Sequence, residues 1–80
     1  MDLAVRVSNF KKFVGFLRRK LIEVNLIDFV EIRVDVYDLS VEVYVKHRLK
    51  RSLFDKLIDI CKSLGMRYNP KRKCWCKYDF

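Results

Sequence analysis

From Phe29 to His47 the chain alternates apolar and polar residues twice, with a short break between the two runs. Val30, Ile32, Val34 and Val36 fall on one side, and Phe29, Glu31, Arg33, Asp35 and Tyr37 on the other. After Asp38-Leu39-Ser40, Val41, Val43 and Val45 again alternate with Glu42, Tyr44 and Lys46. A period of two over that length is the pattern of a strand with one buried face, and the break is only long enough for a tight reversal. The segment predicts an antiparallel hairpin whose valine face needs a cover. Whatever else the chain forms must supply that cover.

Two helical patterns can do so. Phe10, Phe13, Val14, Leu17, Leu21 and Val24 form one apolar stripe at three/four spacing, with Lys11, Lys12, Arg18 and Arg19 off it and Asn25 as the stop. Leu53, Phe54, Leu57, Ile60, Cys61 and Leu64 form another. Ser52-Leu53-Phe54-Asp55 has the form of a capping box, and Gly65 stands where a left-handed C-terminal residue belongs. Residues 2–7 carry two patterns at once. Leu3, Val5 and Val7 alternate with Asp2, Ala4, Arg6 and Ser8 as in a strand, while Leu3, Val7 and Phe10 also extend the helical stripe. The β-branched Val5 and Val7 favour the strand, with Ser8 or Asn9 then capping a helix that begins near Phe10.

The last stretch, 65–80, holds the only Pro, the only Trp and two of the three Cys. Asn69-Pro70 initiates a turn, Pro by its fixed φ and Asn by bonding its own backbone. Cys74, Cys76, Tyr78 and Phe80 alternate with Lys73, Trp75, Lys77 and Asp79, so the segment predicts a short strand, a cationic turn and a closing strand. The resulting order is (β)αββαββ. It describes an α+β two-layer domain of residues 1–80, with two helices on one face of an antiparallel sheet. If residues 2–7 are a strand the order is ferredoxin-like; if they are helical it is a long helix followed by ββαββ. The open sheet face is expected to carry Arg33, Tyr37, Tyr44 and Lys46, with Trp75 as a further candidate.

Charge narrows the function. The net charge is +8 in 80 residues, and it is uneven. Residues 1–40 hold seven Lys/Arg against six Asp/Glu; residues 41–80 hold eleven against four. A field of that sign and place suits nucleic acid, an anionic membrane surface or an acidic protein. No apolar run approaches the eighteen or so residues of a membrane span, and the first residues lack the form of a signal peptide, so an intracellular, cytoplasmic protein without a membrane partner is expected. An odd number of cysteines, two of them one residue apart, is no secreted disulfide framework. The absence of Gln and Thr and the excess of Lys, Arg, Val and Ile fit a thermophile, or equally an AT-rich genome.

Residues 29–80 resemble a small ββαββ module of DNA-processing proteins: the HARP domain of annealing helicases and the damage-recognition domain of excision-repair helicases. The likeness rests on a helix, a Gly, an aromatic-polar-Pro turn and a Trp strand, here Leu64-Gly65-Met66-Arg67-Tyr68-Asn69-Pro70-Lys71-Arg72-Lys73-Cys74-Trp75. It implies an accessory module that binds branched or distorted DNA.

Catalytic and metal chemistry find little to stand on. The single His47 has no Ser-His-Asp setting, the chain has no glycine-rich phosphate loop, and Asp35 and Asp38 have the spacing of turn residues. His47, Cys61, Cys74 and Cys76 could make a Cys₃His set, but Cys-x-Cys is not the usual zinc spacing. No enzyme and no cofactor is therefore expected. The expected function is low-specificity binding of nucleic acid, DNA before RNA. Lys46, Arg48, Lys50, Arg51, Arg67, Lys71, Arg72, Lys73 and Lys77 would contact phosphates, and Tyr68, Trp75 or Tyr44 would stack bases. The alternative is a protein-interaction module, a viral or mobile-element regulator or inhibitor, homodimeric through the sheet, with Phe29, Tyr37 or Tyr44 in the interface.

Overall fold

A computed structural model describes residues 2–80. The first helix, α1, spans Leu3–Glu23, so residues 3–7 are helical and not a strand. Asp2, in extended conformation, caps it by accepting from the Ala4 N–H at 3.4 Å. The helical spacing prevails over the β-branched alternation because it has long-range partners. The Arg6 Nε donates to the Phe80 carbonyl at 2.9 Å, and the Phe80 ring stands edge-on to Phe10 and Phe13, each at 5.2 Å. Residues 6, 10 and 13 meet one partner only at helical spacing. Ser8 and Asn9 consequently lie inside the helix instead of capping it. Without a strand at 2–7, the described order is a long helix followed by ββαββ.

After a turn of 3₁₀ helix at Ile27–Phe29 come β1 (Val30–Asp35), β2 (Ser40–Val45), α2 (Arg51–Ser63), β3 (Arg67–Asn69) and β4 (Cys74–Lys77). The four strands form one antiparallel sheet in the order β1-β2-β4-β3. Val43 faces Trp75 and Val41 faces Lys77 across the central pair. Val30, Val41, Val43 and Trp75 line the covered face and join Phe10, Leu17 and Leu21 of α1 and Leu57 and Cys61 of α2 in the core. Glu31, Arg33, Glu42, Tyr44, Cys74 and Cys76 alternate onto the open face.

Both helices stop in the same way. Asn25 (φ 60°) and Gly65 (φ 77°) take the left-handed conformation. The next residue, Leu26 or Met66, is buried and donates its N–H five residues back, to Leu21 or Cys61. That is a Schellman ending, with Asn and Gly the two residue types that adopt this φ most readily. Both hairpins also turn in the same way. The Asp35 Oδ1 accepts from the N–H groups of Tyr37 and Asp38 at 2.9 and 3.0 Å, and the Asn69 Oδ1 from those of Lys71 and Arg72 at 3.0 and 3.2 Å. Four residues past each cap, Leu39 and Lys73 have positive φ (53° and 54°).

Two local expectations fail. The α2 helix begins at Arg51, one residue before the proposed cap; Lys50 holds the capping position and makes no side-chain bond. Asp55 pairs with Arg51 at 3.8 Å, an i,i+4 contact on the helix surface that competes with a reach back to Ser52. Trp75 does not lie on the open face. It is 8% exposed, on the covered face, with its ring edge to Tyr68 at 5.4 Å. Val43 opposite it faces the helices, and strand pleating sends Trp75 the same way.

Candidate nucleic-acid interface

The two basic segments are separated by the whole of α2 in the chain, yet the sheet brings them to one end. Val43 pairs with Trp75, so the strand residues beyond them, Val45–Lys46 on one side and Cys74–Lys73 on the other, leave the sheet together. Lys46, Arg48, Lys50 and Arg51 therefore share an end of the sheet with Lys71, Arg72 and Lys73, and all seven are exposed. The α2 helix starts at this end too, adding the positive pole of its dipole.

The seven cations are not equivalent. Arg72 folds back across the open face. Its Nε lies 2.9 Å from Glu42 Oε2, and its Nε and Nη2 donate to the Tyr44 hydroxyl at 3.3 and 3.1 Å. The Tyr44 hydroxyl bond, then Glu42, raises the Arg72 pKa further, so the guanidinium stays charged. Arg51 is loosely paired with Asp55. Lys46, Arg48, Lys50, Lys71 and Lys73 make no ion pair among the described residues. Ammonium and guanidinium groups without a carboxylate partner keep their full attraction for an incoming phosphate.

The remaining expected site residues lie elsewhere. Arg67 pairs with Cys76, at the opposite end of the sheet, and Lys77 is close by. The Lys77 ammonium is held by Asp79 at 2.9 Å and lies 5.4 Å from the Phe80 ring centre and 5.8 Å from that of Phe13. It closes the junction of α1 with the end of the sheet. Lys77 also holds the Asp79 carboxyl below its usual range. Trp75 is walled in, as described. Tyr68, beside it at the sheet edge, is half exposed.

The open face is a knit surface. The Arg33 guanidinium lies 4.4 Å from the Tyr44 ring centre and pairs with Glu31 at 3.4 Å. The Cys74 thiol lies 3.7 Å from Glu42 Oε2, and the Cys76 thiol donates to the Arg67 carbonyl at 3.4 Å. Burial pushes the Cys74 thiol up, and a hydrogen bond to Cys76 pushes the Tyr78 phenol up to about 12. Cys61 lies on the other side of the sheet, in the core, so the three thiols are free and divided between two faces. Among the described residues no group of three His, Cys, Asp or Glu is placed to hold a metal ion, and no helix is long and apolar enough to cross a membrane. Glu42 went unremarked in the sequence as anything but an outward strand residue; its partner Arg72 is thirty residues away, and no local pattern links the two. Compared with protein-family models, curated proteins and solved structures, the chain matches none.

Proposed function

We propose that this protein binds nucleic acid through the cationic end of its sheet, holding the sugar–phosphate backbone with Lys46, Arg48, Lys50, Lys71 and Lys73. Arg51 and Arg72 border the site. One observation carries the reading: the β2–β4 register sets two sequence-distant basic segments beside each other, with few carboxylates to neutralise them. Phosphate contacts of this kind position a strand without reading its sequence, and neither helix presents a base-reading face, so low sequence specificity follows. The ligand class is also the one that the resemblance to ββαββ DNA-processing modules implies.

The test is fluorescence anisotropy of labelled oligonucleotides over a salt series. Five to seven phosphate contacts give a slope of log K against log salt of about −4 to −6. Replacing Lys71, Arg72 and Lys73 by Ala lowers the affinity and flattens that slope by about two to three. An unchanged slope would remove the turn from the interface.

A second reading, protein contact, draws on a different surface. Val36 and Tyr37 project from the β1–β2 turn at the far end of the sheet, Tyr37 at 94% exposure. A monomer in light scattering that binds no oligonucleotide at low salt would favour this turn and a protein partner.

A further inference from the structure

Each basic segment has an aromatic residue within three positions of it, and the fold brings these together. Phe54 follows residues 46–51 by three positions. Tyr68 and Trp75 bracket the 70–73 turn, two residues before it and two after. The first turns of α2 and the β3–β4 hairpin stand side by side, and between them runs a groove of about 300 Å³ lined by Phe54, Ile58, Lys62, Tyr68 and Trp75. Phe54 and Tyr68 are 42% and 50% exposed, whereas Trp75 forms the floor. Phe54, Ile58 and Lys62 are spaced by four and make one flank of α2. No carboxylate lines the groove, and Lys62 makes no ion pair among the described residues.

We infer that this groove receives unpaired bases, so that the partner is single-stranded nucleic acid whose backbone crosses the cationic end and whose bases turn in against Tyr68 and Phe54. The inference rests on the nucleic-acid reading above and adds to it. Cations alone would serve a duplex equally well. An apolar, aromatic slot opening beside them offers nothing to a stacked, paired base but fits the flat face of a free one. Charge selects this occupant over an apolar peptide: both walls are continuous with basic segments, and the single charged residue in the lining is a lysine. The open face is a poorer platform, because Arg33 already stacks on Tyr44.

The experiment compares three labelled probes on the intact chain: a short oligothymidylate, an abasic strand of equal length and charge, and a duplex. The native protein is expected to bind the oligothymidylate more tightly than the abasic strand and to change its Trp75 fluorescence only with the former. Tyr68→Leu keeps an apolar side chain against Trp75 but removes the stacking ring. It should weaken oligothymidylate binding about tenfold while leaving the abasic strand and the salt slope as they were. Should Tyr68→Leu fail to fold, Phe54→Ala on the other wall should show the same selective loss, and the fluorescence comparison needs no variant. Equal binding of all three probes, insensitive to both substitutions, would overturn the groove proposal while leaving the phosphate interface intact. A dimer of the native chain that Tyr68→Leu dissociates would assign the groove to a second copy and also overturn it. No binding of any probe at low salt would sink both readings.

Discussion

Residues 3–45 and 51–77 are each a helix, a left-handed stop, a buried apolar residue and a hairpin closed by an Asx turn. Counted from the helix stops, Leu17 corresponds to Leu57, Leu21 to Cys61, Asn25 to Gly65 and Leu26 to Met66; counted from the turns, Asp35 corresponds to Asn69 and Leu39 to Lys73. The central strands β2 and β4 run antiparallel, so the two halves sit head to tail and their turns emerge at opposite ends. The differences lie in what the shared backbone carries. Leu39, at the left-handed position of the first turn, is 5% exposed and closes the core; Lys73, at the same position of the second, points into solvent. The side chain of the Asx residue satisfies the turn's N–H groups, so the positions after it are free to vary. One hairpin uses them for packing and the other for charge.

The hardest test of that contrast is at the paired left-handed positions. Leu39→Ala removes a buried side chain without easing the backbone and should cost about 2–4 kcal/mol, lowering the midpoint of thermal unfolding by about 10 °C or more. Lys73→Ala, with nothing buried, should be nearly silent. Comparable losses at the two sites would break the comparison.

Cys61 sharpens it next. It stands where the first half has Leu21, and burial pushes its thiol from the ordinary 9.0 up to about 12. Between those values the unfolded chain releases a proton that the folded chain keeps. The contribution of Cys61 to stability is therefore level below pH 9 and falls as the pH rises above it, by up to about 1.4 kcal/mol per unit. Cys74, also pushed up by burial, adds in the same direction. Denaturant unfolding at pH 8 and 10 should show the drop, and Cys61→Ala should remove most of it.

Lys73→Gly has a smaller effect than either Leu39→Ala or the Cys61 titration, and the opposite sign. Glycine relieves the positive φ and should stabilise the fold by at most about 1 kcal/mol, while one fewer cation lowers the oligonucleotide salt slope by about one. A gain in stability with a loss in binding would show that the turn holds Lys73 against its backbone preference.

The sequence made much of this plain. The two hairpins, α2, the stops at Asn25 and Gly65 and the Asn69 turn all follow from local chemistry, in which a residue's own neighbours decide its conformation. Residues 3–7 are ambiguous in the sequence because Leu3 and Val7 satisfy both periods and Val5 favours the strand, while the deciding partner, Phe80, lies at the far end of the sequence. For Trp75 the alternation was right, since it does oppose Cys74 and Cys76. Alternation does not say which side the helices cover; the pairing with Val43 does. The cations were visible one by one. Their division, with seven at one end and Arg67 and Lys77 at the other, depends on the β2–β4 register, which no local pattern encodes.

That register has a further consequence. In the unfolded chain residues 46–51 and 70–73 are separate basic stretches, each bathed in its own counterions. Folding presses them together, so the free fold works against its own field. Added electrolyte should then relieve the repulsion within the native state, and, on the proposed function, weaken binding of a polyanion at the same time. On the proposed function, a bound strand would do the same relieving from within and would hold the chain folded in proportion to how tightly it is held.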